Sequence, residues 1–160
     1  MGRAKAVGAA AVLVVVDQLA KMAAVQHLVG AGTLVLVPGV FGLTYAENHG
    51  AAFGMMQGAR WFFIIFTVVV LVGMWKYYGT LPREGRGYGC ARLMLVLLAG
   101  GAVGNFIDRL VNGFVIDFFH IFGFPIFNFA DIFIVTGAAG MSFLLLFVIK
   151  EGDEPQTLDS

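Results

Sequence analysis

Two aspartates in the C-terminal half of the chain lie in surroundings that suit general acid–base chemistry. In FNFAD, a helix starting at Asn128 would give the Asp131 carboxylate free amide donors and the positive end of the helix dipole. Asp117 lies between large apolar side chains in VIDFF, with no obvious partner in its own segment, which favours its neutral form. One charged and one protonated carboxylate can hydrolyse an amide, because one takes a proton from water while the other hydrogen-bonds the scissile carbonyl. The sequence leaves open which aspartate is the base.

Further polar residues occur inside apolar segments. Asn105, Asp108 and Arg109 fall within two helical turns of GGAVGNFIDRL, and Asp17 and Lys21 are four residues apart on one helix face. A charge in the hydrocarbon costs about 2.5 to 3.5 kcal/mol, so such residues must be paired, face water or take part in function. Adjacent helical residues point about 100° apart. Asp108 and Arg109 therefore need different partners, which predicts a polar cluster assembled from several helices.

Several of these residues also have a purely structural interpretation. Asp17 and Lys21 can be a local ion pair that serves as scaffold around a site. Gly100 and Gly104 form a GxxxG face that allows another helix to approach closely. Asp131 can act as a helix cap alone. The sequence does not decide between these roles and catalysis.

The composition is that of a membrane protein. Of the 160 residues, 59% are hydrophobic and 12% are charged, and the mean hydropathy is +0.88. The formal net charge of zero gives no basis for nucleic-acid binding, and the single cysteine, Cys90, cannot form an internal disulfide. A chain of this length is expected to form one integral membrane domain, residues 1–160, with helices packed against each other and against lipid.

Four segments are long and apolar enough to cross a bilayer, which takes about 20 residues. They are residues 6–25, 61–78, 93–111 and 132–149. The predicted fold class is therefore an all-α membrane protein with four transmembrane helices. Most lysines and arginines flank one set of helix ends, and the positive-inside rule then places both termini in the cytoplasm. The start of the chain also resembles a secretory signal peptide, but Asp17 and Lys21 are unusual in a discarded segment.

The segments between the spans predict two extracytoplasmic regions. These are residues 26–60 and 112–130, and residues 150–160 form a cytoplasmic tail. In the first region, short β-prone runs around Pro38 and Gly39 predict a hairpin or small sheet. The second region is aromatic and is interrupted by Gly123 and Pro125, so we expect a stretch that rests in the lipid interface rather than a helix.

Other mechanisms are less well supported by the sequence. A Cys–His pair cannot form, because Cys90 lies at the cytoplasmic entry to the third span and the three histidines lie outside. A zinc site of His49, His120, Asp117 and Asp131 lacks tight ligand spacing, so no metal or other cofactor is expected. The main alternative is a small proton- or cation-translocating membrane protein, whose carboxylates mark the ion path. Against it, the cytoplasmic halves of the spans are almost entirely apolar.

Five motifs occur together along the chain. They are DQLAK (17–21), NHGAAFG (48–54), GNFIDR (104–109), VIDF (115–118) and FNFAD (127–131). Together with the four spans, they resemble the lipoprotein signal peptidase (signal peptidase II) family, the membrane aspartyl proteases of bacteria, over almost the whole chain. The resemblance implies that Asp117 and Asp131 form the catalytic pair. It also implies supporting site residues, namely Asn48, Gly50, Asn105, Asp108, Arg109, Asn128, Asp17 and Lys21.

The resemblance further implies a substrate and a location. Members of the family remove the signal peptide from prolipoproteins, cutting on the N-terminal side of a cysteine that already carries diacylglycerol. The acyl chains then hold the scissile bond at the membrane surface, where the polar residues converge. We therefore expect a monomeric enzyme of the bacterial inner membrane, in contact with lipid and with its site near the extracytoplasmic face. Arg109 and Asn48 are expected to hold the extended substrate backbone, because amide groups near lipid need partners.

Overall fold

The computed structural model describes residues 1–50, 56 and 58–149. The helices are α1 (Arg3–Leu28), α2 (Arg60–Thr80), α3 (Tyr88–Val111) and α4 (Phe129–Phe143), which continues as a π-helical stretch, Leu144–Val148. The strands are β1 (Leu34–Val37), β2 (Phe41–Asn48) and β3 (Val115–Ile121). The predicted tail, residues 150–160, and residues 51–54 of the NHGAAFG motif lie outside the described residues.

The four helices confirm the predicted fold class. With the π-helical stretch included in the last one, they contain 26, 21, 24 and 20 residues and are long and apolar enough to cross a membrane. Each overlaps its predicted span, and α1 and α3 begin several residues earlier than predicted. Many large apolar side chains are exposed on their outer faces, for example Leu19, Ile65 and Val135, as expected for surfaces that contact lipid.

Helix α3 lies at the centre of the bundle, with ten buried residues against two in α2. Two of its glycines allow this close packing. A Cβ at Gly100 would lie 2.9 Å from Leu13 of α1, and a Cβ at Gly101 would clash with the Ala130 carbonyl of α4. Small residues at these positions let α1 and α4 approach the α3 backbone from two sides. The polar residues near the end of α3 are thereby brought within reach of both neighbours.

The first region between helices, predicted to be extracytoplasmic, contains the expected hairpin. Strands β1 and β2 pair antiparallel, with Leu34 opposite Leu43 and Val37 opposite Phe41. The connecting turn contains Gly39 at a φ of +73°, a left-handed conformation that favours glycine. The hairpin directs the end of β2, with Asn48, toward the helix bundle.

The second region predicted to be extracytoplasmic contains a strand, which the sequence did not predict. Its residues Val115–Ile121 form β3, which pairs antiparallel with β2 and completes a sheet of order β1-β2-β3. Ala46 lies opposite Asp117. β-Branched and aromatic side chains suit a strand, and the chain turns after it at Gly123, which has a φ of +88°. The sheet therefore fixes the position of Asp117.

Candidate active site

The predicted polar residues meet at one end of the helix bundle, beside the sheet. They come from five elements: Asp17 and Lys21 of α1, Asn48 at the end of β2, Asn105, Asp108 and Arg109 of α3, Asp117 of β3, and Asn128 and Asp131 at the start of α4. Six of these nine side chains are buried, with exposed fractions of 0 to 7%. The structure thus assembles residues from distant parts of the sequence into one cluster.

Asp131 is held in a capping box at the start of α4. Asn128 Oδ1 accepts a hydrogen bond from the backbone N–H of Asp131 (2.9 Å), and Asp131 Oδ2 accepts one from the backbone N–H of Asn128 (3.2 Å). This arrangement confirms the prediction that Asn128 is the N-cap and Asp131 the third helical residue. The other carboxylate oxygen, Oδ1, accepts a hydrogen bond from Asn105 Nδ2 at 2.8 Å. Capping is therefore only part of what Asp131 does.

Asn128 also contacts the second candidate carboxylate. Its Nδ2 donates to Asp117 Oδ1 at 2.7 Å, and the residue is fully buried. The segment between β3 and α4 folds back on the strand, because Phe127 exchanges backbone hydrogen bonds with Phe119 (2.8 and 3.1 Å). Asn128 consequently bonds both aspartates, and their carboxylates lie on either side of one asparagine.

Asp117 is buried and has a second amide donor. Asn48 Nδ2 donates to its Oδ2 at 3.0 Å. Burial, and next the nearby charge of Asp131, raise the pKa of Asp117 to about 7, while hydrogen bonds from Asn48 and Asn128 and the charge of Lys21 act in the opposite direction. The direction agrees with the preference for the neutral form predicted from VIDFF. The partners that this segment lacks are supplied by β2 and by the N-cap of α4.

A layer of ion pairs lies next to the two aspartates. Lys21 Nζ is 2.8 Å from Asp17 Oδ2 and 2.8 Å from Asp108 Oδ2, and the three side chains are at most 2% exposed. Each carboxylate also accepts a backbone hydrogen bond from the opposite element, Asp17 from Ala130 N (2.9 Å) and Asp108 from Ile116 N (3.0 Å). The layer therefore attaches α4 and β3, which carry the two aspartates, to α1 and α3.

Asn105 connects this ion-pair layer to the aspartates. Its Oδ1 accepts hydrogen bonds from Lys21 Nζ at 2.9 Å and from Asn128 Nδ2 at 3.1 Å, while its Nδ2 donates to Asp131. Asn105 thus uses both ends of its side-chain amide, and its orientation is fixed by Lys21.

Gln18 belongs to the cluster but was not predicted. Its Nε2 lies within hydrogen-bond distance of Asp108 Oδ1 (3.0 Å), the Gly104 carbonyl (3.2 Å) and Asp17 Oδ2 (3.3 Å). The available signal was a polar amide directly after Asp17 in an apolar helix, inside the DQLAK motif. Since a polar group in such a helix needs partners, the same reasoning that selected Asp17 applies to Gln18.

Arg109 faces partners different from those of Asp108, as the helical geometry predicts. Its Nη2 donates to the Gly50 carbonyl at 3.0 Å, and its Cζ lies 4.6 Å from the Phe63 ring centroid of α2. The Gly50 backbone N–H in turn donates to Asn48 Oδ1 at 3.0 Å. Arg109 therefore holds the chain just after β2, where Asn48 contacts Asp117.

The histidines of the proposed zinc alternative are not arranged as metal ligands with the aspartates. His49 Nε2 lies 3.4 Å from Glu47 Oε2, and both side chains are largely exposed. His120 stacks on Phe122, with ring centroids 4.5 Å apart. Within residues 1–50, 56 and 58–149, no group of three or more His, Cys, Asp or Glu side chains is placed to hold a metal ion.

The chain is similar to known proteins over most of its length. The family model described as signal peptidase (SPase) II matches residues 9–148. A lipoprotein signal peptidase of Brevibacillus brevis is 43% identical over 145 residues, which cover 89% of this chain and 93% of the relative. One from Halothermothrix orenii is 37% identical over 142 residues, with 89% and 95% covered. A solved structure described as a bacterial membrane enzyme has a TM-score of 0.77 at 30% identity and covers 90% of this chain and 88% of its own. With the described polar residues of the motifs in one cluster and a family model that spans nearly all of the four helices, the chain belongs to the signal peptidase II family.

Proposed function

We propose that the chain cuts diacylglyceryl-modified prolipoproteins on the N-terminal side of the lipidated cysteine, with Asp117 and Asp131 as catalytic residues. Membership of the signal peptidase II family makes it a protease that removes signal peptides from prolipoproteins. The observation that carries the choice of catalytic pair is the bonding of both carboxylates to Asn128, at 2.7 Å for Asp117 and 3.2 Å for Asp131. The charge of Asp131 also acts on Asp117, which supports a pair of carboxylates that shares a proton during the reaction.

The surroundings of the two aspartates favour Asp131 as the base and Asp117 as the acid. Asp131 accepts a backbone N–H at the start of a helix, where a negative charge is stabilised. Asp117, whose pKa is raised to about 7, retains a proton near neutral pH. Asp131 takes a proton from water as the hydroxide attacks the scissile carbonyl carbon, and Asp117 donates to the carbonyl oxygen. Asp131 then passes its proton to the amide nitrogen, the C–N bond breaks, and Asp117 recovers its proton as the carboxyl product forms.

The supporting residues hold the two aspartates in position. Asn48 and Asn128 orient Asp117, and Asn105 orients Asp131. Because the Asn48 amide is already bonded to Asp117, we assign it to positioning rather than to the peptide clamp expected from the sequence. Arg109 bonds the Gly50 carbonyl through one nitrogen, and its guanidinium has further donors for a substrate carbonyl.

The proposed substrate explains why the pair lies at one end of the helices. Acyl chains of the diacylglyceryl group enter the bilayer, so the peptide bond next to the modified cysteine stays at the boundary between hydrocarbon and head groups. We place this end on the extracytoplasmic side of the bacterial inner membrane and both termini in the cytoplasm, because the basic residues concentrate at the opposite end. We further propose that the chain acts as a monomer in contact with lipid.

The alternative of a proton- or cation-translocating protein has no support in the comparisons, since the family matched is a peptidase family. The distribution of polar groups also argues against it. Of the seven buried polar or charged side chains among the described residues, six belong to the cluster and only Arg92 lies near the other helix ends. A path for ions needs polar groups along its length.

The proposed function is tested with two precursor peptides of identical sequence, one carrying diacylglycerol on the cysteine and one without lipid. The purified chain in detergent should cut only the lipidated peptide, directly before the modified cysteine, and mass spectrometry of the products locates the cut. An Asp117→Asn sample serves as the control for contaminating proteases. Cleavage of both peptides at equal rates would contradict the proposed role of the lipid, and cleavage of neither would contradict the proposed function.

A further inference from the structure

A second polar region lies at the opposite end of the helix bundle. A cavity of about 510 Å³ opens between the start of α1, the end of α2 and the start of α3. The lining residues used below are Arg3, Tyr78, Gly79, Leu81, Arg83 and Arg92. Arg92 precedes Asp108 on α3 by 16 residues, which corresponds to about 24 Å along a helix. The cavity is therefore separate from the catalytic pair.

Three arginines give this cavity a strong positive charge. Arg92 is only 4% exposed, while Arg3 and Arg83 are exposed at its rim. In the part of the chain that the structure describes, none of the three forms an ion pair with a carboxylate. A buried guanidinium without a negative partner is unfavourable, because charge is poorly solvated there. An anionic ligand would supply the missing partner.

Two of these guanidinium groups lie over the faces of aromatic rings. Arg3 Cζ lies 5.0 Å from the Trp75 ring centroid, and Arg92 Cζ lies 5.6 Å from the Tyr78 ring centroid. A cation–π contact attracts the positive charge to the face of the ring and does not itself need an N–H hydrogen bond to an acceptor. Arg92 uses one nitrogen, Nη2, to donate to the Leu81 carbonyl at 2.7 Å. The remaining edge donors suit the oxygens of a phosphate group.

The wall of the cavity is built from specific contacts. Gly79 allows Arg3 to lie directly on α2, since a Cβ at this position would clash with the Arg3 guanidinium. Tyr78 Oη donates to the Met1 carbonyl at 2.7 Å and fixes the start of the chain on the same helix. The cavity is thus a formed site and not a gap between unconnected loops.

We propose that this cavity binds the phosphate of an anionic phospholipid in the leaflet opposite the catalytic pair. The cavity lies at the ends of membrane-spanning helices, which is the depth of lipid head groups. Trp75 and Tyr77 are exposed at the same end of α2, as is typical of residues at a membrane interface. Its volume lies in the range of small-molecule sites, about 300 to 1,000 Å³, and is ample for a phosphate with a small polar head group.

Native mass spectrometry of the chain in detergent tests the proposal. Dioleoylphosphatidylglycerol and dioleoylphosphatidylcholine have the same acyl chains and a phosphodiester each, but only the first has a net negative charge. The wild-type chain should bind the phosphatidylglycerol in preference to the phosphatidylcholine. Substitution of both rim arginines, Arg3→Gln with Arg83→Gln, should weaken its binding by about tenfold or more, since each arginine near an anionic head group contributes about fivefold. Arg92 is left intact because its loss can disturb folding.

A matched control separates the cavity from general charge. Lys5→Gln with Arg86→Gln removes the same charge from exposed residues at this end of the chain, neither of which lines the cavity, and should keep the wild-type affinity. Equal weakening in both double variants, or equal binding of the two lipids, would overturn the proposal. Inorganic phosphate tests whether the cavity binds a free anion rather than a lipid head group. If it alone raised the melting temperature as much as phosphatidylglycerol does, the assignment to a lipid would be wrong.

Discussion

Two neighbouring pairs of carboxylates in this molecule differ in whether a lysine contacts them directly. In the ion-pair layer, Asp17 and Asp108 each lie 2.8 Å from Lys21 Nζ. In the proposed catalytic pair, the described hydrogen bonds to Asp117 and Asp131 come from three asparagine side chains and one backbone N–H. The two groups are adjacent, with Asp17, Asp108 and Asp117 buried and Asp131 partly buried, and they differ most clearly in their partners.

The comparison shows how one cluster can contain carboxylates that form ion pairs beside carboxylates that are held only by neutral donors. A lysine in contact with a carboxylate stabilises its charged form directly, which suits a structural role. Neutral amides orient a carboxylate without cancelling its charge, and the proton can then be gained or lost during a reaction. Asn105, which accepts from Lys21 and donates to Asp131, transmits the rigidity of the first group to the second.

The largest expected effect is the loss of turnover when either member of the catalytic pair is replaced. Asp117→Asn and Asp131→Asn should each lower kcat/KM by about 10³-fold or more, because asparagine cannot exchange the proton that general acid–base catalysis moves. The same change in the ion-pair layer, Asp17→Asn, should leave turnover measurable. Cleavage of the lipidated peptide gives the rates, and thermal unfolding in detergent shows that each variant is folded. An active variant at position 117 or 131 would contradict the assignment.

The next largest effect is on stability, when the only cation of the ion-pair layer is removed. Lys21→Met leaves two buried carboxylates without a positive partner and should destabilise the fold by about 3 to 5 kcal/mol. Lys5→Met, at an exposed position of the same helix, serves as the control. Neutralising the layer completely, with Asp17→Asn and Asp108→Asn added to Lys21→Met, should recover part of the loss. A triple variant no more stable than Lys21→Met would show that the charges are not the cause.

Arg109→Ala tests whether Arg109, at the edge of the cluster, contributes to activity by holding the chain at Gly50 in position. The substitution removes the hydrogen bond to the Gly50 carbonyl and should lower kcat/KM by about tenfold to hundredfold, as expected for a charged donor contributing about 1.5 to 3 kcal/mol. Arg60→Ala is the matched control, since Arg60 donates to the Leu110 carbonyl at the same end of the bundle. Unchanged KM and kcat in Arg109→Ala would exclude both positioning and peptide binding by this residue.

The pH dependence of the wild-type enzyme distinguishes the catalytic pair from the ion-pair layer. As the acid, Asp117 must be protonated, so kcat/KM should fall above pH 7 by about tenfold per unit. Its pKa is raised from the ordinary value of 3.8 to about 7, so the folded chain binds the proton more strongly than the unfolded chain. Stability should therefore fall as the pH rises from about 4 to 7 and level off above. The melting temperature of Asp117→Asn should not fall over this pH range. An equal fall in the variant would mean that other groups cause the pH dependence of stability.

The local features of the site could be predicted from the sequence, whereas its long-range contacts could not. The capping box depends on two residues three positions apart, and the different directions of Asp108 and Arg109 depend on helical geometry alone. By contrast, Asn48 and Asp117 are 69 positions apart and meet because β2 and β3 pair in a particular register. In a hairpin the turn helps to fix the register, but α2 and α3 lie between β2 and β3, so no turn sets the register of this pair.

The missed strand has a similar physical origin. In β3 the first four residues, Val115 to Phe118, are all buried, so both faces of the strand are covered. Such a strand lacks the alternation of apolar and polar residues by which a half-buried strand is identified, and its apolar run equally fits an interfacial segment. The four transmembrane helices were predictable because their length and apolar composition alone satisfy the requirement of the bilayer.

The smallest expected effect comes from removing one neutral donor of the catalytic pair. The Asn48 hydrogen bond favours the charged form of Asp117, so Asn48→Ala should raise the pKa of Asp117 further. The alkaline fall in kcat/KM should then move to higher pH by about one unit, since a hydrogen bond to a charged group contributes about 1.5 kcal/mol. Asn112→Ala, at the exposed end of α3, should leave the profile unchanged. A shift to lower pH, or none, would mean that Asp117 is not the group that loses its proton. Loss of the neutral Asn48 amide should therefore move the pH profile without abolishing activity. Loss of Lys21, in contrast, should destabilise the fold, because Lys21 neutralises the carboxylates that it contacts.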